Sequence, residues 1–143
     1  MADSVLVSGG SGYIAGFLIR QLVTEGWMVH TTVRSLAKES AVRQLLAVDN
    51  SRLKFFAADL NADAGWDEAM RGCEVILHEA AIPSVARSIV NPHLSNQVNV
   101  TGTIELMLAA ARNRVRRVVY AGSSSVYGVP ESLPCRESFR PSP

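Results

Sequence analysis

Three short stretches hold residue types that can do chemistry. The first is "VSGGSGYIAG", residues 7–16, in which Gly9, Gly12 and Ala15 form a G-x-x-G-x-x-A pattern with Gly10 inside it. A dinucleotide pyrophosphate must approach backbone amides at a helix N-terminus, where the dipole favours an anion. A side chain at Gly9 or Gly12 would block the tight turn or the approach, and a small Ala15 lets the helix pack closely on its strand. The second stretch is "VHTTVRS", residues 29–35. An acid at that point would bind a ribose 2′-hydroxyl, but here Arg34 stands at the tip with Lys38 following, and a guanidinium suits a 2′-phosphate. The third is the run Ser123, Ser124 and Ser125 after an apolar stretch. A serine cluster at a strand end looks like half of an active site: a hydroxyl alone polarises or hydrogen-bonds a carbonyl or hydroxyl.

The elements that must position these groups alternate. "SVLVS" is a β-branched run of a strand buried on both faces. "YIAGFLIRQLVTEG" is a helix, with Ile14, Phe17, Leu18 and Leu22 at helical spacing and Gly26 at its C-terminal cap. "WMVHTTVR", "RLKFFAADL", "CEVILHEAA" and "VRRVVYAGS" are further strands. A second helix carries Val42, Leu45 and Leu46 on one face, and "GWDEAMRGC" is a short helix or turn. Asn91 and Pro92 start a long helix over residues 91–111. Strand–helix alternation with right-handed crossovers gives an α/β, Rossmann-type three-layer fold, a parallel sheet of about five strands in order 3-2-1-4-5. Residues 1–128 form the dinucleotide-binding domain and residues 129–143 a polar C-terminal tail.

Composition narrows the classes. The 143 residues are 48% hydrophobic and 19% charged, with a formal net charge of +1, an ordinary globular balance with no field for nucleic acid or an acidic membrane. No apolar run approaches the ~20 residues of a membrane helix, and the N-terminus lacks the basic and long apolar regions of a signal peptide. Cys73 and Cys135 have no close partner in sequence, so a reducing, cytoplasmic setting is expected. His30, His78 and His93 lack metal-ligand spacing, so no metal is expected. "RNRVRR", residues 112–117, is expected to be a solvated helix end. Glu68, Glu74 and Glu79 show no paired arrangement.

"GGSGYIAG", "AADL", "HEAA", "NVTGT" and "SSSVYG", in this order, resemble the extended short-chain dehydrogenase/reductases, which include sugar-nucleotide epimerases, dehydratases and carbonyl reductases. The resemblance implies a nicotinamide dinucleotide held by Gly9, Gly12, Tyr13, Ile14 and Arg34, with Asp59 and Leu60 at the adenine and Ala80 and Ala81 on the nicotinamide side. It implies Ser123 as the catalytic serine, Asn99 as the helix asparagine supporting the site, and Ser124 and Ser125 near substrate. Arg34 points to NADP, with NAD as the other candidate. Residues 1–72 resemble dihydroflavonol-reductase-like enzymes and those from residue 73 sugar-nucleotide epimerases, so a chimera of two related genes is one expectation. A second is truncation, with the family's Tyr-x-x-x-Lys and substrate lobe falling beyond "RPSP". Tyr120 and Tyr127 have no lysine four residues on. The function expected is an NADP(H)-binding domain of an epimerase/dehydratase or carbonyl reductase, catalytically incomplete. The alternative is a chimeric or engineered module that folds and oligomerises without cofactor-dependent activity. Self-association as a homodimer is expected through the exposed fifth strand, or through Leu106, Met107 and Ala110 of the long helix.

Overall fold

The computed structural model describes residues 4–130 and 132–143. Five strands form one sheet in the order β3-β2-β1-β4-β5: β1 (Ser4–Ser8), β2 (Met28–Val33), β3 (Leu53–Ala57), β4 (Val75–His78) and β5 (Arg117–Tyr120). Every neighbouring pair is parallel, as crossover connections require. Val5, Leu6, Val7 and Ser8 are all buried, which is why β1 is an unbroken run of apolar and small residues rather than an alternation.

Helices cover both faces. On one side, α1 (Tyr13–Thr24) and α2 (Glu39–Leu46) pack Ala15, Ile19, Val23, Val42 and Leu46 on Val5, Val7, Val29 and Leu53. On the other, α3 (Trp66–Met70) and α6 (Gly102–Arg112) pack Trp66, Ala69, Met70, Leu106, Ala109 and Ala110 on Leu6 and Ile76. Between them lie α4 (Val85–Val90), α5 (Pro92–Asn96) and a π-helical turn, Gln97–Thr101, which runs from α5 into α6. The Asn91 side chain accepts from the Leu94 amide, so Asn91 caps α5 with Pro92 at its first position. Gly26, at φ 92°, closes α1 as expected: its amide donates to Val23 O and the Trp27 amide to Leu22 O, a Schellman ending.

The helix faces differ from the sequence expectation. Ile14 and Phe17 of α1 are exposed, as is Leu45 of α2. The small Ala15 marks the line of closest approach to the sheet, and the buried stripe runs from it through Ile19 and Val23 at i+4 and i+8. In α6, Leu106 and Ala110 are core residues, and the exposed apolar positions are instead Ile104, Met107 and Leu108. Helix α4, capped by Ser84 Oγ accepting from the Arg87 amide, was not anticipated. Strand β5 pairs only with β4 among the described strands; Val118 packs inward while Val119 and Tyr120 are exposed. A 3₁₀ turn, Ser124–Tyr127, follows, and the tail folds back on it through the Ser142 amide donating to Val126 O (2.8 Å).

Candidate functional site

The glycine loop leaves β1 in a turn closed by the Gly12 amide on Gly9 O (2.7 Å). Gly9 has φ 73°, and a Cβ there would lie 3.1 Å from Ala80 Cα. A Cβ at Gly10 would collide with the Thr31 hydroxyl, and one at Gly12 would stand 3.0 Å from Gly9 O. These glycines are therefore required by conformation and by space. Two threonines hold the loop in place. The Gly9 amide donates to Thr32 Oγ1 (3.1 Å), the Gly10 amide to Thr32 O (2.8 Å), and Thr31 Oγ1 to Val7 O (2.8 Å). No side chain caps the N-terminus of α1 and no acid stands in its first turn. Its amides are left to an anion.

A cavity of about 690 Å³ opens beside this loop, at the carboxyl ends of the strands where the order reverses from β1-β2 to β1-β4. Such a switch point is where open α/β sheets bind ligands. Gly9 and Gly12 line it, with Arg34, Asp59 and Leu60 toward one end and Ala80 and Ala81 toward the other. Tyr13 and Ile14 do not line it: both are exposed, and the Tyr13 ring meets Phe17 edge-on. Their backbone amides lie in the first turn of α1. Arg34 is exposed and makes no hydrogen bond or ion pair among the described residues. The loop after β3 is shaped from below: Trp66, 2% exposed, donates Nε1–H to both Asp59 O and Ala62 O (3.2 Å each). The Asp59 carboxylate accepts from the Asn61 amide (3.0 Å).

The far wall rests on a polar network absent from the sequence expectations. Ser8 Oγ accepts from the Glu79 and Ala80 amides (3.0 and 3.1 Å) and lies 2.8 Å from His78 Nδ1. His78 Nε2 lies 3.1 Å from Thr103 Oγ1, and Thr103 donates to Asn99 O (2.8 Å). Asn99, midway along the π-turn, uses its side chain to clamp Ile82, accepting from its amide (2.8 Å) and donating to its carbonyl (2.9 Å). Burial lowers the pKa of His78. His30, with Nδ1 2.7 Å from Ala69 O, is lowered for the same reason. Beside it the Cys73 thiol is pushed up to about 12 by burial, which keeps it inert.

Ser123 caps the 3₁₀ turn after β5. Its Oγ accepts from the Ser125 amide (3.2 Å) and donates to Ser125 Oγ (3.0 Å). Ser123, Ser124 and Ser125 are exposed and lie outside the cavity lining. The Ala121 amide donates to His78 O, which sets this segment at the same sheet edge as the cleft. Thr32, Trp66, Glu79 and Arg87 line the cavity and were not anticipated. The signal for the first was available: Thr31 and Thr32 are polar residues inside a strand that had to be buried.

Comparison with known proteins agrees with this geometry. A family model described as "NAD dependent epimerase/dehydratase family" matches residues 5–143. UDP-glucose 4-epimerase 3 of Oryza sativa subsp. japonica is 31% identical over 144 residues, covering 96% of this chain and 39% of that protein. UDP-glucose 4-epimerase of Bacillus subtilis (strain 168) is 31% identical over 140 residues, covering 95% and 41%. The chain thus spans about two-fifths of the length of these relatives. Among solved structures, the UDP-glucose 4-epimerase of Thermus thermophilus in complex with NAD superposes with a TM-score of 0.81 at 29% identity, covering 98% of this chain and 44% of that one. No helix among the described residues is long and apolar enough to cross a membrane.

Proposed function

The chain belongs to the NAD dependent epimerase/dehydratase family, and on that premise we propose that it is the NADP(H)-binding domain of a nucleotide-sugar epimerase/dehydratase or carbonyl reductase. The observation that carries this is the fit of the cleft to a dinucleotide. A Cβ at Gly9 or Gly12 would be tightly crowded and one at Gly10 would collide, and Gly12, the uncapped N-terminus of α1, lines the cavity. The amides of that terminus hold the pyrophosphate, Asp59 and Leu60 border the adenine, and Ala80 and Ala81 the nicotinamide. Bound nicotinamide supplies hydride transfer. Ser123 polarises the substrate carbonyl or hydroxyl, with Ser124 and Ser125 beside it. The 143 residues hold no Tyr-x-x-x-Lys, so they supply binding and polarisation rather than the tyrosine proton transfer of the family. Titration with NADPH and with NADH, followed by the emission of Trp66 in the cavity wall, tests the reading. Saturable binding of both, tighter for NADPH, is expected. A folded protein that binds neither would overturn it.

The same proposal includes a homodimer. Val100, Ile104, Met107 and Leu108 form an exposed apolar stripe on the outer side of the π-turn and α6, at i, i+4, i+7 and i+8. A second copy related by a two-fold axis would bury it. Light scattering at micromolar concentration should give twice the 15.4 kDa chain mass, and Ile104→Lys with Leu108→Lys should give a folded monomer. A monomeric wild type would exclude the dimer.

A further inference from the structure

The hydrogen-bond chain behind the cleft has a forced direction. A serine hydroxyl has one proton and two lone pairs. Ser8 Oγ accepts from the Glu79 and Ala80 amides, so its lone pairs are taken. Its proton goes to His78 Nδ1, 2.8 Å away. An Nδ1 that accepts carries no proton, so neutral His78 holds its proton on Nε2 and donates it to Thr103 Oγ1. Thr103 donates onward to Asn99 O, and Asn99 clamps Ile82 from both sides. The chain runs from the residue before Gly9 to the π-turn, and it fixes both ends of the segment 79–82 that lines the cleft.

We infer that His78 is a positioning residue of the cofactor cleft, which in its neutral Nε2–H form locks segment 79–82 against the glycine loop and the π-turn. The inference rests on the reading of the cleft as a dinucleotide site. A second proton on His78 would break the lock. Nδ1–H would then face an oxygen already taken by two donors, and a charge would be buried without a counter-ion. The groups hydrogen-bonded to the ring are uncharged, Ser8 on β1 and Thr103 on α6, and its register partner on β5 is Tyr120. Burial alone lowers the pKa. The sign follows. The neutral form is favoured in the folded protein, so the lock is intact above the ordinary histidine value near 6.5. It opens only as pH falls through the lower value that His78 has in the fold; between the two values the unfolded chain takes up a proton that the fold refuses, so folding stability falls first.

The test is the urea unfolding free energy and, by calorimetry, the NADH affinity, both from pH 8 to pH 5.5, with the fold checked by circular dichroism. NADH is chosen because a 2′-phosphate titrates near pH 6 itself. Wild type should lose unfolding free energy as pH falls below about 6.5, while its NADH affinity holds for as long as His78 stays neutral. His78→Gln, which keeps a donor toward Thr103 but cannot gain a proton, should give a flatter stability profile. It retains His30 and His93, so only the difference between the two slopes is assigned to His78. Thr103→Val, which removes the acceptor of the Nε2–H, should weaken binding by about two- to tenfold at pH 8. A flat wild-type stability profile, or equal stability slopes in wild type and His78→Gln while both are folded, would overturn the role of His78. Should His78→Gln not fold, unchanged affinity in Thr103→Val overturns it instead. Failure of wild type to bind NADH even at pH 8 would strike the cofactor reading and this inference together.

Discussion

Trp66→Ala is expected to lower the unfolding free energy by about 3–5 kcal/mol, the range for truncating a large buried aromatic. Trp66 is 2% exposed and packs among Leu60, Met70, Val98 and Leu106. Its removal leaves a cavity between α3, α6 and the sheet. It also leaves Asp59 O and Ala62 O without the indole donor. The first loss is one of packing, the second one of loop geometry, and they can be separated. Trp66→Phe keeps most of the ring and deletes only the N–H, so it should cost about 1 kcal/mol while still loosening the turn at Asp59. Urea unfolding with an unchanged slope is the measurement. A change under about 1 kcal/mol for Trp66→Ala would show that the ring is not the keystone of this core. Because Trp66 also lines the cavity, the alanine variant should bind dinucleotide more weakly even where it remains folded. The stability of the fold and the shape of the site depend here on the same side chain.

What could be read in the sequence was what local sterics impose. The glycine loop shows because Gly9 holds a positive φ, a Cβ at Gly10 would collide with Thr31, and one at Gly12 would crowd Gly9 O. The parallel order shows because alternating strands and helices allow few topologies. Arg34 shows because it stands just past the end of β2, where the chain enters the cavity lining. What stayed hidden depends on partners far away in the chain. Ser8 and His78 are 70 residues apart and His78 and Thr103 25. No spacing rule links them, and each looks alone like an ordinary buried polar residue. The helix faces were misplaced for a related reason. Ile14, Phe17 and Leu45 fit an apolar stripe, yet so do Ala15, Ile19 and Val23. Only the distance of approach to the sheet decides between them, and that is set by Ala15. The same ambiguity put Leu106 and Ala110 on the outside, when they face Leu6 and Ile76.

Arg34→Ala should weaken NADPH binding by about 1.5–3 kcal/mol, the range for hydrogen bonds to charged groups, or roughly ten- to a hundredfold. NADH affinity should stay within about twofold, since a 2′-hydroxyl offers the guanidinium no charge. Three observations support the expectation. Arg34 lines the cavity just past the end of β2. Its side chain is not committed to another group among the described residues. Val33, the last residue of the strand, stands where an acid would otherwise take the ribose hydroxyl. Arg34→Lys should fall between wild type and alanine, because an ammonium keeps the charge but not the bidentate fork. The preference should also shrink as salt rises, for Arg34 is exposed and exposed charges are screened beyond about 8–10 Å at physiological ionic strength. Parallel titrations of the three proteins with both cofactors decide the matter. Equal NADPH affinity in wild type and Arg34→Ala would remove the basis for NADP and leave NAD, the cofactor named for the Thermus thermophilus complex, as the simpler assignment.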